Sequence, residues 1–368
     1  REDMVVTVTS GGYIKRTPLA EFRSQNRGGK GLSSMATKED DVVTTLFVAN
    51  THTHLLFFTT DGMVYQLKCW RLPLAGRTAK GKAIVNILPI VAGVSIAALM
   101  PIDVPEDEWD GLQAFFATSD GDVRRNALSD FTSIKRNGKI AMNLPEGVSL
   151  VNVRICDDGD DVMLVTALGR AIRFPTTEVR VFKGRDSTGV RGIRLATGDR
   201  VVSMSVIRHF EANPDERAAY LKQRRLMAGA PDESESDDDE SVDVSAELGQ
   251  LSTERYVEMS AIEDLILTVT RGGAGKLSSS HDYPVRGRGG QGVMAMDKAM
   301  RGGALVTSFP VEPGDQIMLA TSTGQSIRVP IDQISFRSRS AGGVRVFNTA
   351  KGEEVVSVAR VVEQGDEA

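Results

Sequence analysis

The sequence predicts an all-β fold, a propeller-like disc or spiral of six blades stacked side by side around one axis. Three observations predict it: a pattern that recurs six times with a period of about fifty residues, a glycine turn at the centre of every copy, and flanking runs rich in β-branched and aromatic residues. A short repeat of strands with no closed edge of its own is stabilised by radial stacking on its neighbours.

Each copy reads as an apolar run, a turn, a second short run and a loop rich in cations. The turns are SGGYIKR, TDGMVYQ, SDGDVRR, ALGRAIR, RGGAGKL and STGQSIR, centred on Gly12, Gly62, Gly121, Gly169, Gly273 and Gly324. Successive gaps are 50, 59, 48, 104 and 51 residues, so the long gap holds one period plus an extra segment. Runs such as MVVTVT, HLLFFTT, QAFFATS, DVMLVTA, LILTVT and QIMLATS flank the turns. These are hairpins in which glycine supplies the positive φ. The blades span residues 3–49, 53–103, 110–159, 160–208, 262–312 and 315–363, and an insertion occupies 209–258 between the fourth and fifth.

Within that insertion, Asn213, Pro214 and Gly229 mark the cap, first turn and stop of one helix. The following DESESDDDES has too few apolar residues to fold and is expected to stay disordered. Residues 211–258 hold fourteen Asp/Glu and five Lys/Arg, a net of −9 against −5 for the whole chain, so the remainder carries +4. The blades and the insertion are electrostatically different objects.

The cations recur at a fixed place. Arg27, Arg77, Arg136, Arg288 and Arg339 lie fifteen residues after their key glycines and Arg185 sixteen after its own, and Lys30, Lys80, Lys139, Arg191 and Arg345 follow in the same loops. Isolated surface cations are ordinary, but recurrence at one offset on glycine-bearing loops suits a polyanion. Guanidinium forks pair with phosphates, and glycine amides form anion nests. With few aromatics and no recognition helix, contacts to phosphate rather than base readout are expected.

Other motifs carry less. GRGGQG, residues 287–292, matches a dinucleotide-binding pattern but lacks the preceding strand and following helix that the chemistry needs. GGAGKLS has Leu277 where a phosphate-binding loop needs Ser or Thr. His52 and His54 in THTH fall on one face if extended, and the turn DDGDD (Asp157, Asp158, Asp160, Asp161) is expected to be solvated; neither completes a metal set. No catalytic constellation is present, so no enzyme activity and no cofactor is expected of these residues. Only Cys69 and Cys156 occur, which fits a reducing cytoplasm. No run of about 20 apolar residues exists to cross a membrane; the best stretch, 83–100, contains Asn86, Pro89 and Gly93. The start at Arg1 suggests a piece of a longer protein.

QNRGGKG (Gln25, Asn26, Arg27, Gly28, Gly29, Lys30, Gly31) after MVVTVTSGGYIKRTPLAEFRS resembles the gyrase A box and first blade of the C-terminal domain of DNA gyrase A. The resemblance covers the chain outside the insertion. It implies a six-bladed β-pinwheel whose blades exchange strands, with double-stranded DNA wrapped chirally on a basic rim in support of negative supercoiling. It also implies that the box and the degenerate loops of later blades, Arg77, Lys80, Arg136, Lys139, Arg185, Arg191, Arg286, Arg288, Arg337 and Arg339, bind that DNA. Asn26 departs from the family's usual Arg, with Arg23 nearby as a compensating charge.

By the same resemblance the catalytic tyrosine lies in a breakage-reunion domain outside this chain, and none of Tyr13, Tyr65, Tyr220, Tyr256 or Tyr283 takes its role. Implied partners are that domain, gyrase B and the nucleoid, with ATP and magnesium serving the holoenzyme. Where the family carries an acidic C-terminal tail, only Glu363, Asp366 and Glu367 occur here, and the acidic insertion is expected to take over part of that role by competing with DNA. The rivals are the equivalent domain of topoisomerase IV, against which the six units and QNRGGKG argue, and a propeller scaffold for protein partners, whose WD-type signatures are absent.

Overall fold

The computed structural model describes residues 1–22, 41–230, 251–298 and 302–361. Unit 1 supplies β1 (Asp3–Thr9), β2 (Tyr13–Pro18) and β3 (Val43–Asn50); unit 2 supplies β4 (His54–Thr59), β5 (Met63–Lys68), β6 (Lys82–Ala83) and β7 (Ile96–Ile102). Unit 3 contributes β8 (Gln113–Thr118), β9 (Asp122–Ala127), β10 (Lys139–Ile140) and β11 (Leu150–Cys156). Unit 4 contributes β12 (Asp160–Thr166), β13 (Arg170–Pro175), β14 (Val181–Phe182), β15 (Val190–Arg191) and β16 (Val201–Arg208). The last two units give β17 (Leu265–Thr270), β18 (Ala274–Ser279), β19 (Val293–Met294) and β20 (Leu305–Val311), then β21 (Gln316–Thr321), β22 (Ser326–Pro330), β23 (Val344–Arg345) and β24 (Val355–Val361).

The units and the sheets do not coincide. In every blade the hairpin pairs with a long inner strand of its own unit, and in the first five the short outer strand comes from the next unit's loop: the first sheet runs β3-β1-β2-β6 and the second β10-β5-β4-β7. Likewise β14 and β15 cross to β9, β19 to β13, and β23 to β18. The expected strand exchange is therefore present. In the sixth sheet β22 has no outer partner among the described residues.

From β7 through β11, β16 and β20 to β24 each inner strand meets the next about the axis, and β24 reaches β3, so the sixth blade lies beside the first. Each pair of neighbouring blades shares an apolar core. Leu56, Phe58, Phe116 and Phe131 fill the gap between blades 2 and 3, and Val42, Met318 and Val361 that between blades 6 and 1. Phe58 meets Phe116 and Phe131 edge-on at 5.5 and 5.6 Å between centroids, the arrangement aromatic quadrupoles favour. Burying each such ring contributes about 1.5–3 kcal/mol. Because a blade's middle strand has a neighbour on both faces, HLLFFT and QAFFAT are apolar without alternation.

The insertion begins as expected, with α1 (Pro214–Met227) capped by Asn213, whose side chain accepts from the Glu216 amide at 2.8 Å, and with Gly229 at φ 64° behind it. A second helix, α2 (Thr253–Ile262), capped by Ser252, was not expected. It exists because the pair has something to bury: the Tyr220 ring lies 4.9 Å from Tyr256 and 5.0 Å from His281, and His281 Nε2–H donates to the Met259 carbonyl at 2.7 Å. The acidic run after α1, like Gln25–Gly31, lies outside the described residues.

Two minor expectations change. His52 sits in a turn and only His54 is in a strand, edge-on to Trp109 and beside Gln66, so the two histidines share no strand face. In DDGDD, Asp157 to Gly159 form a turn, but Asp161 is fully buried and receives Arg173 Nε at 2.8 Å, because the strand β12 carries it into the sheet. Among the described residues no group of three or more His, Cys, Asp or Glu is placed to hold a metal, and no helix is long and apolar enough to cross a membrane.

Candidate nucleic-acid interface

The six hairpins are built alike. Each key glycine has φ between 81° and 91°, and its amide donates to the carbonyl of a threonine three residues earlier: Gly12 to Thr9, Gly62 to Thr59, Gly121 to Thr118, Gly169 to Thr166, Gly273 to Thr270 and Gly324 to Thr321, at 3.0–3.1 Å. These threonines are all buried. In five units the glycine carbonyl then accepts from the strand arriving from the next unit: from Ile84, Ala141, Gly192, Ala295 and Val346 at 2.7–2.9 Å. A turn thus fixes where the following loop lands.

Those loops lie at the outer edge of the disc, since the strands they deliver sit farthest from the inner strands. Their glycines have a local task. A Cβ at Gly81, Gly189 or Gly292 would run into the carbonyl of Ile14, Val123 or Ala171 on the preceding blade, and all three have positive φ. The glycines expected to form anion nests therefore let one blade's backbone approach the next.

The predicted cations divide. Arg136, Arg191, Arg286 and Arg288 are exposed; Arg77, Lys80, Lys139, Arg185, Arg337 and Arg339 are half-buried. Several reach back to the preceding unit. Arg185 donates to the Ile140 carbonyl, Arg288 to the carbonyls of Glu178 (3.0 Å) and Arg191 (3.1 Å), and Arg339 to those of Asp282 (2.9 Å) and Met294. Arg191 pairs with Asp122 at 3.0 Å, and Lys80 stands 3.8 Å over the Tyr13 ring. The shared offset thus also fastens blade to blade. A guanidinium has five donors, so these clamps leave others for a ligand. Gln25, Asn26, Arg27, Gly28, Gly29, Lys30 and Gly31 lie outside the described residues.

Other loop cations escaped the sequence reading. Lys82, Lys135 and Lys183 are exposed on the same loops, and Lys15, Arg124 and Lys276 are fully buried beneath them. The buried three share a signal, a cation three residues after the key glycine in units 1, 3 and 5. Both thiols are buried, which pushes Cys69 up to about 11 and Cys156 up to about 12 and leaves them unreactive at neutral pH.

A family model, DNA gyrase C-terminal domain, beta-propeller, matches six successive segments, residues 3–50, 53–103, 113–157, 160–208, 264–311 and 315–361. The chain belongs to the DNA gyrase C-terminal domain family. The DNA gyrase A protein of Granulibacter bethesdensis is 49% identical over 98% of this chain and 39% of that relative, and its counterpart in Escherichia coli K12 is 35% identical over 100% of this chain and 35% of that relative. The chain therefore spans about two fifths of the length of such curated gyrase proteins. Among solved structures, a topoisomerase IV C-terminal domain superposes with a TM-score of 0.73 at 23% identity, covering 98% of this chain and 93% of that one. A gyrase A C-terminal domain superposes with 0.60 at 21%, covering 98% and 100%. These two show the shared fold of the gyrase and topoisomerase IV domains.

Proposed function

We propose that this gyrase-family domain binds duplex DNA without sequence preference and wraps it with one hand around its outer edge, in support of negative supercoiling by a gyrase holoenzyme. The observation that carries the reading is positional. Five described units place a cation-bearing loop at the same point of the circumference, with Arg136, Arg191, Arg286, Arg288, Lys82, Lys135 and Lys183 exposed there. Bending a 20–30 bp site by 40–90° costs about 1–6 kcal/mol, so a longer wrap needs attachment at many points.

The implied partners are a breakage-reunion domain of the same polypeptide and gyrase B, with ATP and magnesium serving those parts, and nucleoid DNA in the cytoplasm as substrate. The blades themselves would neither cleave DNA nor hydrolyse ATP in this reading. Ligation of nicked circles in the presence of the domain tests it: a linking change of one sign that grows with bound protein supports wrapping, and an unchanged linking number refutes it.

A further inference from the structure

Lys15, Arg124 and Lys276 hold equivalent positions in units 1, 3 and 5, and none exposes any surface. A buried cation is costly unless its donors are matched, and here the matches form a pattern. Lys15 Nζ donates to the carbonyls of Gly76, Arg77 and Ala79 at 2.9, 2.7 and 3.0 Å. Lys276 Nζ donates to the equivalent carbonyls of unit 6, those of Ser338 at 3.1 Å, Arg339, and Ala341 at 2.6 Å. In unit 4 the same three positions are covered jointly. Arg124 takes the carbonyls of Arg185 (2.8 Å) and Ser187 (2.6 Å), and Asn126, which accepts from Arg124 Nε at 2.6 Å, takes that of Gly184 (2.7 Å).

Each cation also has an acid on the short 3-10 turn behind its strand. Burial lowers the Lys15 pKa to about 8 while Glu21 works to raise it, so the group is an ammonium at pH 7. Asp130 accepts from Asn126 Nδ2 at 2.9 Å, and Asp282 accepts from the Arg339 amide at 2.7 Å. In units 2, 4 and 6 the equivalent residues are Tyr65, Ile172 and Ile327. The loop of unit 3 accordingly rests on a ring, with Gly138 against Tyr65, whereas in unit 5 Gly292 closes on the backbone of Ala171 and Ile172. Among the described loops, those of units 2, 4 and 6 lie over a buried cation, and those of units 3 and 5 have Tyr65 and Ile172 at the equivalent position.

We propose that Lys15, Arg124 and Lys276 are positioning residues for DNA binding, fixing the edge loops of units 2, 4 and 6 so that the disc grips the duplex at alternate blades through preorganised loops. The proposal rests on the DNA-wrapping reading above. A loop ordered in advance loses less freedom on binding, and the cations do this without touching DNA.

The test compares Lys15→Met and Lys276→Met with Tyr65→Leu and Ile172→Val, controls at the equivalent positions before the loops of units 3 and 5, at matched loss of thermal stability. Affinity for a duplex long enough to circle the disc is read as a function of salt. The lysine variants should bind about threefold to tenfold more weakly than the controls, the penalty for ordering one or two side chains on binding, with an unchanged salt slope and with rescue by Lys276→Arg. A slope lowered by about one would mean that the lysine itself meets a phosphate and would overturn the positioning role. Equal losses in both sets would overturn the alternation. Should the lysine variants fail to fold, hydrogen exchange on the unaltered chain decides: slower exchange in residues 77–80 and 338–341 than in 136–139 supports pinning, and equal rates overturn it. Nicked-circle ligation separates the two readings. Wild type without a linking change removes wrapping and this proposal together, whereas wild type and lysine variants that wrap and bind alike remove this proposal alone.

Discussion

At the scale of single residues, the hairpin glycines do two things at once, and the two can be separated. Gly12 and Gly121 both have positive φ, but a Cβ at Gly12 would meet nothing within 4 Å, whereas one at Gly121 would strike the Ile193 carbonyl delivered by unit 4. Gly12→Ala should therefore cost only the left-handed conformation, about 1–2 kcal/mol. Gly121→Ala should cost more, about 2–4 kcal/mol, because strain and a displaced strand add. Urea unfolding of the two variants checks this, and equal losses would contradict it. The glycines were legible in the sequence. The threonines were not, although Thr9, Thr59, Thr118, Thr166, Thr270 and Thr321 all precede a key glycine by three. Threonine in an apolar run reads as an ordinary strand former, and only the structure shows the Thr9, Thr166, Thr270 and Thr321 hydroxyls accepting from the amide after the glycine. The arginines were legible as a set, but not in their directions. Whether Arg339 points outward or toward Asp282 and Met294 depends on carbonyls of another unit.

At the scale of elements, long hairpin strands announced themselves, whereas β6, β10, β19 and β23, two residues each, are too short to show any periodicity. Helix α2 was hidden for a related reason, since its partners Tyr220 and His281 are distant in sequence. Two histidines at this junction give the helical insertion opposite pH responses. His209 Nδ1 lies 2.9 Å from Asp161 and its Nε2 2.6 Å from Glu211. Burial opposes its protonation, but the Glu211 hydrogen bond and the Asp161 charge outweigh that and raise its pKa above the ordinary 6.5. Its stabilising contribution is therefore full below pH 6.5 and is lost as pH rises through the raised value. For His281, burial outweighs the Met259 hydrogen bond and the carboxylates Glu263 and Asp264, so its pKa is lowered and its contribution, present above pH 6.5, is lost as pH falls through the lower value. His209→Gln should flatten the alkaline side of the profile of Tm against pH and leave the acid side in place. A profile unchanged on the alkaline side would contradict the assignment.

At the scale of the whole molecule, the six-fold repeat made the architecture readable, while the balance of charge needs the insertion to be counted apart. Residues 231–250 hold nine acidic and no basic side chains, whereas α1, packed beside the edge loops of units 5 and 6, sets Arg217 near Asp282 and Arg286 and stacks Arg224 4.4 Å from the Phe336 ring. If the acidic stretch competes with DNA, deleting 231–250 should tighten binding at low salt and change it little near 1 M, where the screening length falls to about 3 Å. Unchanged affinity and wrap at low salt would exclude competition. The ring also has a schedule built into it. Because every outer strand belongs to the unit that follows, the first blade waits for Lys82 and Ala83, and the fifth for Val344 and Arg345. On a ribosome that releases the N-terminus first, each of the first five blades is finished one unit late, and a truncation at any of their unit boundaries leaves the last sheet with a bare edge. Loss or gain of a whole unit bares no further edge only if the cut falls inside matching loops, so the divisible piece of this domain is the span from one loop to the next rather than the blade.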